Sequence, residues 1–275
     1  MKRVALALLL FIAPVWASPS FAQTTTQKPF EPQVGQPGKD VVWVPTSPEL
    51  LSLMLDMAKV TPQDYVVDLG SGDGRNVIGA AKRGATARGF EFNPDMVALS
   101  QRLAREAGVA DKATFVEGDM YEANFSTATV LALFLLPDNL EKLQHKFLAL
   151  KPGTRIVVNT FGVPGWEPIE TKRLEGVACT SWCTSMLYLV PANVAGQWRM
   201  PQGELVLEQE AQKLKGSLRT AEGTLEVSAG MIHGERLTLT INGVEYAGQV
   251  RGERIEGTAG REAWTATRVG AAAAR

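Results

Sequence analysis

The sequence predicts an α/β fold: a mostly parallel sheet with helices over residues 41–192, followed by a small antiparallel β-domain over residues 197–268. Two patterns lead to this prediction. Short apolar runs alternate with amphipathic helical patterns up to about residue 192, which is typical of βαβ units. From residue 204 onward, apolar and polar residues alternate in short segments broken by glycines, which is typical of an antiparallel meander, sandwich or barrel.

The first 22 residues have the pattern of a secretory signal rather than of a folded element. A basic start is followed by the apolar run Ala5–Ala17 and by the small-residue ending Ser20-Phe21-Ala22. The apolar run is shorter than the ~20 residues of a membrane-spanning helix, so an uncleaved anchor is the less favoured alternative. We therefore expect export, to a periplasm, with no stable membrane span after cleavage. Residues 23–40, rich in Gln, Thr, Pro and Gly, are expected to form a flexible N-terminal tail or wrap-around segment.

Local signals predict the elements of the α/β part in order. A helix begins at Ser47-Pro48, because serine can cap a helix N-terminus and proline suits the first helical position, and Asn93-Pro94 repeats the signal. The run Val130–Leu136 is apolar throughout, as a central parallel strand should be, and Asp138 is predicted to cap the next helix. The later predicted helices are residues 76–83, 94–107 and 138–150. The predicted strands are residues 65–68, 87–92, 114–116, 130–136, 155–160, 170–175 and 186–190, and residues 193–203 are predicted as a link.

A glycine-rich loop, Gly70–Gly74, separates a predicted strand from a predicted helix. This order places backbone N–H groups and a helix N-terminus at the carboxyl edge of the sheet, where open α/β sheets bind ligands. The spacing G-x-G-x-G differs from the G-x-G-x-x-G of dinucleotide enzymes, and Asp68 stands where a pyrophosphate site would usually avoid a carboxylate. We therefore expect a cationic ligand at this loop.

Two further carboxylates stand at the ends of the next two predicted strands. Glu91 is placed to accept both hydroxyls of a ribose, and Asp119 is placed to meet the amine of an adenine. Each alone could be a loop or capping residue. Together with Asp68 they occupy three successive strand ends beside one glycine loop, which favours a ligand site over solvated surface.

Composition excludes several classes of function. The formal net charge of −1 gives no strong attraction to nucleic acid. Two histidines do not suffice for a histidine metal site and make a catalytic triad implausible, so no metal site is expected. The two cysteines, Cys179 and Cys183, leave two states open in an oxidising compartment: a small structural disulfide or free thiols.

Residues Val66–Gly74 resemble the first motif of class I S-adenosylmethionine-dependent methyltransferases. Gly89-Phe90-Glu91 is similar to their ribose-binding acidic position, Gly118-Asp119-Met120 to their adenine-side position, and Leu150–Gly153 to the turn before their fifth strand. More narrowly, four segments resemble the family of the ATP-synthase c-subunit lysine methyltransferases and its bacterial relatives: residues 43–46, 68–75, 134–137 and 164–166. The resemblance covers residues 41–192, and the export signal and the β-rich tail depart from that family.

The resemblance implies a Rossmann-like sheet of seven strands, S-adenosylmethionine as cofactor, and direct methyl transfer to an amine acceptor, either a protein lysine or a small molecule. The residues implied to bind the cofactor are Asp68, Leu69, Gly70, Ser71, Gly72, Glu91, Asp119 and Met120. Phe134, Pro137 and Asp138, at the end of the fourth strand, are the candidate catalytic residues. The alternatives are an exported binding module that keeps the cofactor site without catalysis, and a nicotinamide oxidoreductase. The acceptor, the oligomeric state and the role of the β-domain stay open.

Overall fold

The computed structural model describes residues 30–176 and 181–270, so the predicted export signal lies outside the described residues. The helices of these ranges are Pro48–Met57 (α1), Arg75–Lys82 (α2), Pro94–Glu106 (α3) and Pro137–Leu148 (α4). The strands of the first part are Tyr65–Leu69 (β1), Thr86–Glu91 (β2), Ala113–Glu117 (β3), Val130–Leu133 (β4), Arg155–Asn159 (β5), Glu170–Arg173 (β6) and Thr184–Leu189 (β7). Those of the second part are Gly196–Met200 (β8), Gly203–Glu210 (β9), Lys213–Thr220 (β10), Gly223–His233 (β11), Arg236–Ile241 (β12), Val244–Arg251 (β13), Arg254–Ala259 (β14) and Glu262–Arg268 (β15). None of the helices in the described ranges is long and apolar enough to cross a membrane.

The strands β1 to β7 form one sheet in the order β3-β2-β1-β4-β5-β7-β6, counting the strands of the described ranges. β1 to β5 run parallel. β7 pairs antiparallel with β5, and β6 pairs antiparallel with β7, so β7 alone is reversed among these seven strands. The mostly parallel sheet of seven strands is therefore confirmed. The strand order changes direction between β1 and β4, and open α/β sheets bind ligands in the crevice at the carboxyl ends of such a pair.

The helices cover both faces of this sheet, and two of them begin where the sequence predicts. Ser47 Oγ accepts a hydrogen bond from Leu50 N (3.2 Å) at the start of α1, and Asn93 Oδ1 accepts one from Asp95 N (2.9 Å) at the start of α3. The helices α1, α2 and α3 bury their apolar residues against one face, and α4 buries its own against the other. The carboxyl edge of the sheet is thus left to the loops that follow the strands.

The fourth strand is shorter than predicted. β4 ends at Leu133 and not at Leu136, which takes the N-cap position of α4, while Asp138 lies in the first turn instead of capping the helix. Beyond Leu133 neither β1 nor β5 pairs with the chain, and Pro137 starts the helix because its fixed φ suits the first helical position. An apolar run does not show where strand pairing stops, because a residue such as Leu135 can be buried without belonging to the strand.

The strands β8 to β15 close into an antiparallel barrel within residues 196–268. The predicted antiparallel β-domain is confirmed, and the barrel is the observed form. The predicted link over residues 193–203 is wrong in part, because it contains β8, which closes the barrel by pairing with β9 and β15. Trp198 of β8 is fully buried, and its indole N–H donates to the Val194 carbonyl (2.8 Å). Pairing with β15 joins segments far apart in sequence, so no local pattern reveals it.

Cys183, just before β7, is buried and disulfide-bonded. Of the two states that the sequence leaves open, the disulfide is therefore the one observed at this residue. Cys179 lies outside the described residues.

Candidate functional site

An open cleft lies along the carboxyl edge of the sheet. One wall is formed by residues 36–46, which precede α1 and are called the strap below. The opposite wall is formed by the residues that follow β1 to β4: Asp68, Gly70–Asp73, Arg75, Asn76, Phe90–Asn93, Met96, Gly118–Met120 and Phe134. The three carboxylates at successive strand ends therefore meet in one cleft, together with most of the glycine-rich loop.

The glycine-rich loop takes a backbone path that favours glycine. Gly70, Gly72 and Gly74 have φ values of 71°, 56° and 79°, in the left-handed region. The loop is held to the neighbouring strand because Gly70 N and Ser71 N both donate to the Phe90 carbonyl, at 2.8 and 3.0 Å. The buried Ser71 Oγ has no hydrogen-bond partner among the described residues. A buried hydroxyl of this kind, on the wall of a cleft, fits a polar group of a ligand.

Asp68, near the end of β1, is a buried acid with further acids around it. Its exposed fraction is 3%. Burial raises the pKa of Asp68 well above its usual value, the Asn76 side chain opposes that rise by hydrogen bonding, and the charges of Glu91 and Asp73 add to it. Burial and neighbouring negative charges disfavour the charged form of a carboxyl group, and a cation in the cleft would favour it. The site therefore favours a positively charged ligand, as the sequence predicts.

Glu91 joins the glycine-rich loop to the start of α3. Its Oε2 accepts a hydrogen bond from Gly72 N (2.8 Å), and its Oε1 accepts one from Asn93 N (2.9 Å). An ionised carboxylate has about four acceptor positions, so about two remain for a ligand in the cleft. Glu91 thus combines a structural contact with the acceptor capacity that a pair of hydroxyls would need.

Asp119, just after β3, is tied to the strap. Its Oδ2 accepts a hydrogen bond from Lys39 Nζ, and its Oδ1 accepts one from Tyr121 N (2.9 Å). The bond from Lys39 lowers the pKa of Asp119. Lys39 Nζ also lies 4.9 Å from the centroid of the Phe92 ring. The sequence leaves a flexible tail or a wrap-around segment open for residues 23–40. The described residues 36–40 match the wrap-around form, because they line the cleft and Lys39 reaches Asp119.

The sequence does not predict the strap as part of the site. The strap forms a tight hairpin together with the preceding Gly35. Gly35 N donates to the Trp43 carbonyl (2.8 Å), and Trp43 N donates to the Gln36 carbonyl (2.9 Å). Its end is fixed by Arg75, whose Nη1 donates to the Thr46 carbonyl (2.7 Å). The strap has no periodicity, and its one sequence signal is the family-like segment 43–46.

The remaining predicted site residues divide into two groups. Met120 and Phe134 line the cleft. The Leu69 side chain is fully buried in the core and does not line it, so only its backbone is near the loop. Pro137 and Asp138 are exposed at the start of α4 and do not line the cleft either, because the chain leaves the sheet after Leu133. Within residues 30–176 and 181–270, no group of three or more His, Cys, Asp or Glu side chains is arranged to hold a metal ion.

Comparison with known proteins identifies this arrangement. A family model described as the ANTKMT methyltransferase domain matches residues 68–170, which contain the glycine-rich loop, Glu91 and Asp119. The protein-lysine N-methyltransferase of Saccharolobus islandicus is 40% identical over 138 residues, which are 49% of this chain and 86% of that protein. The chain belongs to this methyltransferase family. The resemblance seen in the sequence is confirmed, and membership rules out the nicotinamide oxidoreductase alternative.

Two further proteins are similar to this methyltransferase. The ATP-synthase c-subunit lysine N-methyltransferase of Mus musculus is 38% identical over 122 residues, 44% of this chain, and the match spans about half (49%) of the mouse protein. An RNA methyltransferase from Salinibacter ruber, solved in complex with S-adenosyl-L-homocysteine, is 41% identical with a TM-score of 0.51. That match covers 55% of this chain and 96% of the Salinibacter chain. Methyltransferases of this kind use S-adenosylmethionine, so the predicted cofactor is confirmed.

Proposed function

We propose that this methyltransferase transfers a methyl group from S-adenosylmethionine to a lysine side chain of a protein. The observation that carries the proposal is the burial of Asp68 beside Glu91 and Asp73 in one cleft, because S-adenosylmethionine bears positive charge on its sulfur and its amino group. Lysine as the acceptor is supported by the Saccharolobus and mouse relatives, both of which are named as lysine methyltransferases.

In this proposal, different residues of the cleft bind different parts of the methyl donor, S-adenosylmethionine. Asp68 holds the amino group and faces the positive charge, and the backbone of Gly70–Gly72 lies against the methionine part. Glu91 accepts the ribose hydroxyls with the acceptor positions that Gly72 N and Asn93 N leave free. Asp119 and Met120 lie on the adenine side. Bound S-adenosylmethionine would supply an activated methyl group to a neutral amine. The carbon–sulfur bond would break with its electron pair left on sulfur, and the methylated amine would lose a proton to water.

The chain's own contribution to such a transfer is orientation and proximity. The glycine-rich loop and Glu91 fix the donor against the sheet edge, and Phe134 lies on the cleft wall after β4, beside β1. An amine brought to Phe134 would therefore meet the donor from the side of β4 and β5. The strap forms the wall on the other side.

A protein acceptor is favoured over a nucleic acid. The Salinibacter relative is named as an RNA methyltransferase. However, this chain has a formal net charge of −1, and without residues 1–22 it has 26 basic and 29 acidic residues. Such a balance does not attract a polyanion. RNA methylation is therefore the second outcome that an acceptor search must be able to detect.

We propose that the protein acts outside the cytoplasm. Residues 1–22 support this, because a basic start is followed by an apolar run and a small-residue ending, as in a secretory signal. A fractionation experiment on cells that produce the full chain tests this proposal. Recovery in the periplasm with Gln23 as the first residue is the expected result, and recovery of the uncleaved chain in the cytoplasm would contradict export.

The acceptor proposal is tested with purified protein, methyl-labelled S-adenosylmethionine and a protein extract. We expect label that protease releases and nuclease does not, and methylated lysine after acid hydrolysis. Nuclease-sensitive label would overturn the lysine acceptor in favour of RNA. Micromolar binding of S-adenosylmethionine by calorimetry without any transfer would favour the binding module, and absence of binding would remove the proposed donor site.

Glu91→Ala should weaken S-adenosylmethionine binding by roughly 1–3 kcal/mol, the usual cost of leaving polar groups without partners. The same change frees Gly72 N and Asn93 N, so thermal unfolding of the ligand-free protein should be followed in parallel. Glu91→Gln is the matched control, because one amide oxygen can still accept a hydrogen bond. Unchanged affinity in Glu91→Ala, measured by calorimetry, would show that Glu91 does not hold the ribose.

A further inference from the structure

Three aromatic side chains, called the aromatic cluster below, continue the cleft beyond β4. Phe134 follows β4, Phe161 follows β5, and Trp182 lies just before β7, so all three stand at the same edge of neighbouring strands. The ring centroids are 6.4 Å apart for Phe134 and Phe161, 6.1 Å for Phe134 and Trp182, and 5.4 Å for Phe161 and Trp182. Phe134 also lines the cleft, so the cluster begins where the donor site ends.

The cluster lies at the margin of the packed interior, with Phe161 packed against the core. Phe134 and Phe161 are half-buried, and Trp182 keeps 44% of its surface exposed. Lys and Arg side chains of the described residues stack on other rings, those of Phe92, Tyr121, Phe125 and Trp198, and none stacks on the cluster. No Lys or Arg side chain of the described residues therefore occupies the cluster, and the exposed surface of Trp182 is open to a cation from outside the chain.

The backbone beside the cluster is held in an unfavourable conformation. Thr160 and Trp182 have φ values of 60° and 58°, which non-glycine residues seldom adopt. Thr160 N donates to the Thr184 carbonyl and Phe161 N to the Asn159 carbonyl, both at 2.7 Å, and the disulfide at Cys183 adjoins Trp182. Such strain persists when the surrounding structure imposes it, and it concentrates at ligand sites.

We propose that the aromatic cluster binds the acceptor side chain as a cation, with Trp182 as the residue that determines specificity. Aromatic faces attract ammonium groups that lie within ~6 Å of the ring centroid, and they also contact the methylene groups of a lysine. Because Trp182 is exposed, water can take the proton that the ammonium must lose before transfer. The assignment of the acceptor rests on the proposed function, whereas cation binding by the cluster can be measured without any methyl transfer.

The binding test uses protein loaded with S-adenosyl-L-homocysteine and two small probes, N-acetyl-trimethyllysine methylamide and its neutral carbon analogue with a tert-butyl end. We expect the cation to bind about tenfold more tightly than the neutral analogue, which corresponds to about 1.4 kcal/mol. In Trp182→Leu, which keeps an apolar side chain without a π face, this preference should disappear, and Trp182→Phe should retain part of it. Equal affinity of the two probes for the unaltered protein would overturn the proposal.

The activity test separates this proposal from the proposed function. Trp182→Leu should raise the KM for the lysine acceptor about tenfold and leave the affinity for S-adenosyl-L-homocysteine unchanged, which also shows that the variant is folded. If that variant fails to fold, Phe161→Leu replaces it with the same expected result. If the cluster prefers the cation but the protein methylates no lysine, cation binding by the cluster is supported and lysine as the acceptor is contradicted. If Trp182→Leu methylates lysine with an unchanged KM, the proposed role of the cluster is contradicted.

Discussion

In an Asp68→Asn variant we expect S-adenosylmethionine to bind roughly 10- to 150-fold more weakly, while the ligand-free protein is at least as stable as before. The affinity falls because a hydrogen bond to a charged group contributes roughly 1.5–3 kcal/mol. The stability does not fall, because Asp68 is 3% exposed and lies close to Glu91 and Asp73. Asparagine has the same shape and brings no charge into this site.

Calorimetric titration and thermal unfolding measure these two effects. S-adenosyl-L-homocysteine, which keeps the amino group but not the charged sulfur, should be titrated beside S-adenosylmethionine. A larger loss for S-adenosylmethionine would place the sulfonium charge near Asp68, and equal losses would place the amino group there. Asp138→Asn, in the exposed first turn of α4, is the matched control and should change neither property. Undiminished affinity for both ligands in Asp68→Asn would contradict the proposed donor site.

The raised pKa of Asp68 gives the same site a pH dependence. The folded-state pKa lies above the ordinary value of 3.8, so folding favours the protonated carboxyl group. Its contribution to the stability of the ligand-free protein is fully present below pH 3.8 and is lost as the pH rises through the folded-state pKa. A cationic ligand favours the carboxylate instead. Below the folded-state pKa of Asp68 we therefore expect binding to release a proton, measurable as a dependence of the binding heat on the buffer in a series of pH values, and Asp68→Asn to abolish that release.

Gly72→Ala should lower the free energy of unfolding by roughly 2–4 kcal/mol, from left-handed strain and overpacking together. Gly72 has a φ of 56°, and a Cβ there would lie 2.7 Å from Trp43 Nε1. The indole of Trp43 would have to move, and the hydrogen bond from Gly72 N to Glu91 would move with it. Binding of S-adenosylmethionine should weaken in the same variant, because both walls of the cleft are displaced.

Gly108→Ala separates the two causes. Gly108, after α3, has a φ of 70°, and a Cβ there would meet no atom within 4 Å. Its substitution should therefore cost only the left-handed strain of roughly 1–2 kcal/mol, with cofactor affinity unchanged. Denaturant unfolding gives the loss in free energy of unfolding for each variant. The difference between the two losses is the part that comes from the steric contact with Trp43. Equal losses would show that the close approach of Trp43 to Gly72 has no energetic role.

Several parts of this protein can be predicted from short stretches of sequence, because the responsible interactions are local. Ser47 and Asn93 cap helices that begin at the next residue, and glycines at 70, 72 and 74 permit the left-handed loop. The position of the carboxylates at 68, 91 and 119 can also be predicted, because each lies at or near the end of a strand and the carboxyl ends of parallel strands share one edge. Their meeting in one cleft needs only the strand order of the fold.

The end of β4 and the existence of β8 depend on partners distant in the chain. The run Val130–Leu136 is apolar to its end, yet its pairing with β5 stops at Leu133. Residues 193–203 contain a strand because β9 and β15 both pair with it to close the barrel. The hydrophobic pattern shows which residues are buried, but the neighbouring strands decide which residues pair in a sheet.

The sequence by itself determined the helix starts and the glycine-rich loop, since each depends on residues within a few positions of one another. It also determined the α/β class and the acidic character of the donor site, since the order of the elements places the carboxyl ends of parallel strands at one edge. The tertiary structure alone decided that the strap lies over the cleft, with Lys39 on Asp119, and that Phe134, Phe161 and Trp182 meet beside it. These contacts join segments with no common periodicity. They are possible because the sheet brings the ends of its strands to one edge.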